Sequence, residues 1–494
     1  MMLQGLISAL SLKSMVAIVS GTILGVVFGA IPGLSANMAV TLCLPLSFGL
    51  DPSTGLVLLV SLYLGGISGG LASAILLNIP GTPASIATCF DGHPMAARGE
   101  AGRALGVGIL ASFLGGLFSI IILMFLAPVV AKFALKFGPF EYAAIGIFSL
   151  LLIAGLMGKS IVKGLIGALL GIMLATIGSA PIDGASRFTF GFTAMNSGFN
   201  IIAVMIGFFA ISEVINAAEE SVVKRETSII QNVIVKGFGV SFKEMFEQKW
   251  NILRSAIIGT FIGMLPGLGG STANVISYAV ARNQSKNSEE FGTGIIDGII
   301  ASETSNNATV GGALIPALSL GIPGDVTTAI LLGALMIHGV QTGPLLFKTS
   351  GPLVYTIFGG LLIANIVMLV AMFFGIRFFS KILSIRKTLM LPVVMVLCIV
   401  GAFAINNRMF DVWSVLGFGV LGYLLNKVEI PFGPIVMGFI LGPIVELYLR
   451  RGVMISEGSL MPFINRPIPR FILILSVLFL IYSVRKIAET SKSV

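Results

Sequence analysis

Two short polar phrases interrupt an otherwise apolar chain and carry the residues best suited to bind a small solute. Residues 32–37 read Pro-Gly-Leu-Ser-Ala-Asn, and residues 266–274 read Pro-Gly-Leu-Gly-Gly-Ser-Thr-Ala-Asn. Each phrase joins a helix breaker to hydroxyl and amide side chains. Polar breaks at corresponding places in the two halves of a membrane protein indicate the binding site of a transporter.

A second pair of breaks follows the first pair along the chain. Residues 77–81 read Leu-Asn-Ile-Pro-Gly, and residues 320–324, which lie 243 positions later, read Leu-Gly-Ile-Pro-Gly. The first pair repeats at an offset of 237, where Asn37 corresponds to Asn274. Because the order and the spacing are both kept, the sequence indicates an internal duplication.

Each break is predicted to begin a new half-helix, whose free N–H groups and positive dipole end attract anions. The predicted substrate-binding residues lie at the four breaks: Pro32, Gly33, Ser35, Asn37, Gly81, Thr82, Pro266, Gly267, Ser271, Thr272, Asn274, Gly324 and Thr327. A single Pro-Gly break is more often a kink or a packing contact. The ordered set of four favours a cage for a solute with several carboxylates.

One acidic residue stands inside an apolar segment and is a candidate for binding an ion. Glu303 lies close to Asn306 and Asn307, and ionisable groups within membrane segments are costly and usually functional. We expect these three residues to bind a coupling cation, Na⁺ or H⁺, or to steer the substrate. Hydrogen bonding between helices is the alternative. The aligned positions of the first half lack this set: they are Val60, Tyr63 and Leu64.

Two further acidic residues have competing interpretations. Asp325 directly follows the last break, so it is a candidate either for ion coupling or for capping a helix. Asp91 precedes Gly92, His93 and Pro94, which indicates a loop at the membrane surface. A proton relay through Asp91 and His93 is the alternative.

The composition identifies the elements that must position these residues. Hydrophobic residues form 56% of the chain and charged residues 10%, whereas a soluble domain carries about 25% charge. The apolar runs are long and lack strict alternation, which favours helices over a membrane barrel. We predict an all-α polytopic membrane protein with two inverted-topology repeats, discontinuous helices and re-entrant hairpins. The helix-length rule gives about 10–14 membrane segments.

One long charged stretch divides the chain almost in half. Residues 218–254 hold eleven charged residues, six of them basic, and the positive-inside rule places such a stretch in the cytoplasm. We therefore predict a repeat 1 half at 1–217, a cytoplasmic amphipathic linker at 218–254, and a repeat 2 half with extra C-terminal helices at 255–494. The first apolar segment is expected to stay in the mature protein. The net charge of +9 is attributed to cytoplasmic loops and not to nucleic-acid binding.

Three phrases carry a resemblance to a known family. Gly-Ala-Ile-Pro-Gly-Leu at 29–34, Leu-Pro-Gly-Leu-Gly-Gly at 265–270 and the stretch 301–308 resemble the large membrane subunit of tripartite tricarboxylate transporters, the TctA type, and the likeness covers essentially the whole chain. The resemblance implies ion-driven uptake of a di- or tricarboxylate, or a related organic acid, across the bacterial cytoplasmic (inner) membrane. It also implies two partners, a small membrane subunit and a periplasmic substrate-binding protein, and no resident cofactor.

Two other classes of function compete with a transporter. An ion channel or exchanger would more often show rings of charge or repeated filter carbonyls. A membrane-embedded enzyme would need paired carboxylates, a metal set or a nucleophile elbow, and none of these motifs occurs in the sequence. We therefore expect a protein that is not an enzyme and that works by alternating access in the lipid bilayer, in an elevator-like manner.

Overall fold

The computed structural model describes residues 2–156, 160–223, 239–383 and 387–490, and helices dominate the fold. The first half contains α1 Met2–Ala9, α2 Leu12–Ala30, α3 Ala36–Ser47, α4 Pro52–Leu77, α5 Ile86–Met95, α6 Ala101–Ala134, α7 Pro139–Leu156, α8 Ile161–Ala175, α9 Ile201–Met205 and α10 Ser212–Val223. The second half contains α11 Phe242–Glu247, α12 Lys249–Met264, α13 Gly269–Gln284, α14 Ile296–Leu320, α15 Val326–Ile337, α16 Leu346–Thr349, α17 Gly351–Leu383, α18 Lys387–Asn406, α19 Met409–Lys427, α20 Phe432–Ile455, α21 Pro462–Asn465 and α22 Pro467–Thr490. A small antiparallel ribbon pairs Gly178–Ser179 with Ser186–Arg187.

Length and composition identify the helices that fit a membrane. Seven helical runs within the described ranges are long and apolar enough to cross one: Leu12–Ala30, Pro52–Leu77, Pro83–Ala134, Ile201–Glu219, Gly351–Gly375, Met409–Lys427 and Phe432–Ile455. Further apolar helices of 10–17 residues, such as Val326–Ile337, are shorter than a full crossing requires. The protein is thus an all-α polytopic membrane protein, as predicted, while the total number of membrane segments stays a prediction.

Contacts between helices divide the chain into two compact units. Unit 1 comprises Met1–Ala131 and Asn216–Leu397, and unit 2 comprises Lys132–Ile215 and Cys398–Val494. Each unit therefore draws on both halves of the sequence. The division into 1–217, 218–254 and 255–494 concerns the repeats and stays a prediction, and residues 224–238 of the predicted linker lie outside the described residues.

Unit 1 contains two runs of four helices in the same order, α2 to α5 and α12 to α15. In each run a helix, a break and a second helix are followed by the longest helix of the run, a second break and a shorter helix. The third helix of each run ends in the left-handed conformation, with φ of 57° at Asn78 and 73° at Gly321. These two residues are aligned in the sequence repeat, so the match extends to backbone conformation.

The second break of each run is held against the first helix of the same run. A Cβ added at Gly81 would collide with the carbonyl oxygen of Gly29, and one added at Gly324 would collide with that of Gly263. Only glycine permits such a close approach between two backbones. The breaks are therefore fixed elements of the core of unit 1.

Unit 2 contains ion pairs between its helices and the small ribbon, and within single helices. The guanidinium group of Arg187 contacts both carboxylate oxygens of Glu446 at 2.7 and 3.3 Å, and Arg450 approaches the same carboxylate at 2.9 Å. Arg408 pairs with the buried Asp411 at 2.9 Å. The predicted site residues all lie in unit 1.

Candidate functional site at the helix breaks

The first break of the first run meets the second break of the second run. Ser35 caps α3 by accepting a backbone N–H at 3.2 Å. Asp325 caps α15 by accepting the N–H of Thr328 at 2.7 Å, and the Thr328 hydroxyl accepts the Asp325 N–H in return. The hydroxyl of Thr327 donates to Asn37 Oδ1. We call this contact between the starts of α3 and α15 the first crossing.

A tyrosine fills the first crossing. The hydroxyl of Tyr63, on α4, donates to Asp325 Oδ2 at 2.5 Å, while Asp325 Oδ1 accepts from Thr328. Tyr63 is completely buried. Both carboxylate oxygens of Asp325 are therefore occupied by groups of the protein itself. Capping, one of the two interpretations offered for Asp325, is observed.

The first break of the second run meets the second break of the first run. Asn274, in the first turns of α13, accepts the backbone N–H of Ala87 at 2.7 Å and donates to the carbonyl oxygen of Ser302 at 3.2 Å. Its buried amide thus connects α13 to α5 and to α14. We call this contact the second crossing. Asn37 and Asn274, which are aligned in the repeat, each contact the opposite run.

The second crossing contains a buried amide group without a partner. Asn306 is fully buried, and neither Oδ1 nor Nδ2 makes a hydrogen bond of 3.5 Å or less within the described chain, although the amide lies near the carboxyl group of Glu303. A Cβ added at Gly270 would lie 2.6 Å from Asn306 Oδ1, 2.9 Å from the Cβ of Ala84 and 3.4 Å from Thr309 Oγ1. A buried unpaired amide is costly. The amide is packed closely between Gly270 of α13 and Ala84 of the turn Pro83–Ser85, and it is the candidate contact for a polar ligand at the second crossing.

A buried carboxyl group lies on the same helix as Asn306. Glu303 Oε1 accepts the hydroxyl of Thr88 at 2.5 Å, and Oε2 accepts the hydroxyl of Ser112 at 3.0 Å. Glu303 is completely buried, and within the described ranges its side chain has hydroxyl partners and no cationic one. A buried carboxylate without a cation is strongly unfavourable. A proton or a small cation at this carboxyl group would remove that cost.

Asn307 is satisfied by the protein, unlike its neighbour Asn306. Its Nδ2 donates to the carbonyl oxygen of Glu303 at 3.2 Å, and its Oδ1 accepts the hydroxyl of Ser68 at 2.5 Å. It connects α14 to α4 as an interhelical hydrogen bond. The sequence predicts one role for both asparagines, and the structure separates them.

The glycines of the first breaks adopt the left-handed conformation. Gly33 and Gly267, which follow Pro32 and Pro266, have φ of 89° and 84°. The N–H of Gly267 donates to the carbonyl oxygen of Gly324 at 2.7 Å, which joins the two breaks of the second run.

The remaining predicted residues lie around the second crossing. Thr82 precedes the turn Pro83–Ser85, and its hydroxyl lies 3.3 Å from that of Ser85. Ser271 and Thr272 are half-buried in the first turn of α13.

The predicted surface loop around Asp91 is wrong. Asp91 lies within α5 and is fully buried. Its Oδ1 accepts the backbone N–H groups of Gly292, Gly294 and Ile295 at 2.8, 2.9 and 3.1 Å, and its Oδ2 accepts the hydroxyl of Tyr278 at 2.8 Å. The backbone donors come from the loop between α13 and α14 and Tyr278 comes from α13, so the carboxylate anchors the second run to α5.

Four contact residues were not predicted as part of a site: Tyr63, Thr88, Ser112 and Tyr278. Each is a hydroxyl residue that donates to a buried carboxylate, and Tyr63 and Ser112 lie within long apolar segments. An isolated hydroxyl in a membrane helix is a weak signal, because it also bonds readily to its own backbone. Within the described chain, no cluster of three His, Cys, Asp or Glu residues could hold a metal ion.

Comparisons with known proteins agree on a family. The family model described as "Tripartite tricarboxylate transporter TctA family" matches residues 15–437. An uncharacterized 52.8 kDa protein in the TAR-I ttuC' 3' region of Agrobacterium vitis is 34% identical over 449 residues, which cover 91% of this chain and 88% of that protein. An uncharacterized protein in the TAR-II ttuC' 3' region of Agrobacterium vitis is 36% identical over 210 residues, which cover 42% of this chain and 87% of that protein. The chain therefore belongs to the TctA family of tripartite tricarboxylate transporters, and it is a membrane component of such a transporter.

Proposed function

We propose that this protein takes up an organic acid anion, a di- or tricarboxylate or a related acid, across the bacterial cytoplasmic membrane by secondary active transport. Family membership supplies the transporter class. One observation carries the proposal furthest: each asparagine of the first breaks bonds to the second break of the other run. Four interrupted helices are thereby gathered in one unit, as a transporter site requires.

The two runs are inverted-topology repeats with re-entrant hairpins in this proposal. The aligned left-handed ends at Asn78 and Gly321 support the duplication, and the reciprocal contacts of Asn37 and Asn274 support a two-fold relation between the runs. Irregular backbone in a membrane is tolerated where it is buried in protein or lines a cavity, and the breaks meet that condition.

The substrate carboxylates bind at the helix starts of the second crossing. Free N–H groups and the dipole ends of α13 and of the turn before α5 favour negative charge there. Asn306 adds a buried donor and acceptor that the protein leaves unpartnered within the described chain, and Thr82, Ser271 and Thr272 add hydroxyl groups. The first crossing has a structural role, because Tyr63 and Asp325 are hydrogen-bonded to each other.

The coupling ion, Na⁺ or H⁺, binds at Glu303. Its two hydroxyl partners, Thr88 and Ser112, come from α5 and α6. A change in the charge of Glu303 therefore alters hydrogen bonds that join α14 to both of these helices. Asn306 lies one turn further along α14 and belongs to the substrate region. Ion binding and substrate binding thus share one helix, which is the simplest physical route to coupling between them.

Transport proceeds by alternating access, in which the crossings travel as one elevator-like module. Close packing supports the inclusion of α6 in this module. A Cβ added at Gly115 would collide with the carbonyl oxygen of Thr304, and one added at Gly311 would collide with that of Ser119. Such contacts between α6 and α14 resist sliding. A small membrane subunit and a periplasmic binding protein that delivers the acid complete the transporter.

Uptake into proteoliposomes tests this proposal. The protein is reconstituted with its small membrane subunit, and labelled citrate, malate and an aromatic acid are supplied with the cognate binding protein under an imposed Na⁺ or H⁺ gradient. We expect concentrative uptake of one acid that collapses when the gradient is dissipated. Movement only down the substrate gradient would indicate a channel, and chemical alteration of the acid would indicate an enzyme.

A further inference from the structure

A stripe of exposed apolar side chains runs along α11 and α12. Phe246, Trp250, Leu253, Ile257 and Phe261 recur every three or four residues and are 68%, 71%, 38%, 52% and 58% exposed. The spacing of the four residues of α12 places them on one helical face, and Phe246 precedes them on α11. In a membrane protein such a face is in contact with lipid.

A groove of about 470 Å³ lies beside this stripe. It is bounded by α6 and by the junction of α11 and α12 at Gln248, which we call the elbow. Its walls are apolar and include Leu114, Leu117, Phe118, Met245, Ile252 and Ala256. Lys249 is the charged residue among the described lining residues, and its Nζ lies 4.5 Å from the centre of the Phe246 ring.

Two acidic residues, Glu244 and Glu247, closely precede Lys249 in the chain, and neither forms an ion pair with it within the described ranges. Glu244 on α11 is engaged by Arg103 of α6 at 2.7 Å. No ion pair between Lys249 and a carboxylate is found within the described ranges. An apolar groove with an uncompensated ammonium group complements a molecule with an apolar tail and an anionic head.

We propose that this groove is a binding site for an anionic glycerophospholipid, with an acyl chain along the apolar walls and the phosphate group at Lys249. Trp250 next to it is a residue type enriched at membrane interfaces. The elbow adjoins the basic stretch that the positive-inside rule assigns to the cytoplasm, and basic pockets on that side of a membrane bind anionic head groups.

The walls favour a lipid over a helix of another protein. Helices that pack together in membranes approach through small residues, and apart from Ala256 the groove is lined by large side chains. A flexible acyl chain can follow the irregular surface of these large side chains, whereas a helix packs closely only where small residues line the contact. The chemistry therefore selects a phospholipid as the occupant.

The bound lipid would influence the candidate ion site indirectly, through α6 and α12, the two helices that form the groove. Ser112 of α6 binds Glu303, and Gly259 of α12 is in close backbone contact with Ser305 of α14. An occupant between α6 and α12 fixes their spacing around α14. This consequence for transport rests on the proposed function, but binding of the lipid does not.

Tryptophan quenching tests the binding directly, without any transport measurement. The chain has two tryptophans, so Trp413→Phe leaves Trp250 as the reporter. The full-length protein is placed in phosphatidylcholine bilayers that contain a small fraction of brominated phosphatidylglycerol or brominated phosphatidylcholine. We expect the anionic lipid to quench Trp250 at about five-fold lower mole fraction, the effect of one cation near a membrane surface.

Two variants and a control locate the effect. Lys249→Gln should abolish the preference for the anionic lipid, and Leu117→Phe, which fills the groove, should weaken quenching by the brominated chains of both lipids. Lys286→Gln removes an exposed cation elsewhere and should keep the preference. Equal quenching by both lipids, or a preference that survives Lys249→Gln, would overturn the proposal. Loss of quenching when the small membrane subunit is added would also overturn it, because the groove would then be a protein interface.

Discussion

The two crossings of unit 1 have the same framework and different contents. In the first crossing the Tyr63 hydroxyl donates a hydrogen bond to the carboxylate of Asp325. The polar groups there bond to other groups of the protein. The positions aligned with these residues are Asn306 and Thr82 in the second crossing. There the side chains are shorter, and the amide group of Asn306 has no partner within the described chain.

The difference lies in side chains and not in the backbone. Both second breaks contact the first helix of their own run through glycine, and both third helices end in the left-handed conformation. A duplicated framework thus holds one crossing whose polar side chains bond to each other and one that contains the unpartnered amide of Asn306. We therefore expect that the exchange of Tyr for Asn and of Asp for Thr at these aligned positions separates a structural contact from a place for a ligand.

The largest effect is expected from Asn306→Leu, which keeps the shape of the side chain and removes both polar atoms. If Asn306 bonds to a charged substrate, the loss of two such bonds should lower kcat/KM for uptake by about 100-fold. Uptake of the acid into proteoliposomes measures this, with the unfolding temperature as a control for folding. Uptake equal to that of the unaltered protein would show that Asn306 does not bind the substrate. The proposed functional difference between the two crossings would then be wrong.

The second effect concerns ion coupling at Glu303. Glu303→Gln keeps the hydrogen bonds to Thr88 and Ser112 and removes the charge, so we expect uptake about 10-fold to 100-fold slower and insensitive to the imposed ion gradient. Ser112→Ala is the matched control, since it removes one hydrogen bond and keeps the carboxyl group. Gradient dependence that persists in Glu303→Gln would place the coupling ion elsewhere.

The third effect compares the two aligned asparagines by stability. Asn274 makes two buried hydrogen bonds, so Asn274→Ala should lower the free energy of unfolding by about 2–3 kcal/mol. Asn37 accepts one bond from a hydroxyl that can rotate, and Asn37→Ala should cost about 1 kcal/mol. Chemical unfolding in detergent measures both values. Equal costs would show that the crossings depend on their asparagines to the same extent.

The smallest effect is expected from Tyr63→Phe. The variant loses one hydrogen bond, while Asp325 keeps its cap through Thr328, so the stability should fall by about 1 kcal/mol and uptake should change less than about five-fold. The same uptake assay serves for this variant. A loss as large as that of Asn306→Leu would make the first crossing part of the binding site.

The positions of the breaks were predictable because their causes are local. Proline removes an N–H and glycine permits positive φ, so the Pro-Gly pairs mark where helices stop regardless of tertiary structure. The repeat then identified Asn37 and Asn274 as equivalent residues. Cap formation by Ser35 and Asp325 also follows from side-chain type and position.

The partners across the crossings were not predictable because they depend on distant helices. Tyr63 and Asp325 lie 262 positions apart, and the sequence carries no mark of their contact. The buried setting of Asp91 was missed for a related reason. Its neighbours Gly92 and Pro94 are typical of a loop, but the backbone N–H groups of residues 292–295 and the Tyr278 hydroxyl satisfy its carboxylate inside the protein.

Substrate protection of introduced cysteines tests the central claim most directly. The three buried native cysteines, Cys43, Cys89 and Cys398, are first replaced by alanine, and Asn306→Cys or Tyr63→Cys is then introduced. A small thiol reagent is added with or without the acid that gives the highest uptake. We predict that the acid protects the Asn306→Cys thiol and leaves the reactivity of the Tyr63→Cys thiol unchanged. Equal protection of both thiols, or protection of Tyr63→Cys alone, would contradict it.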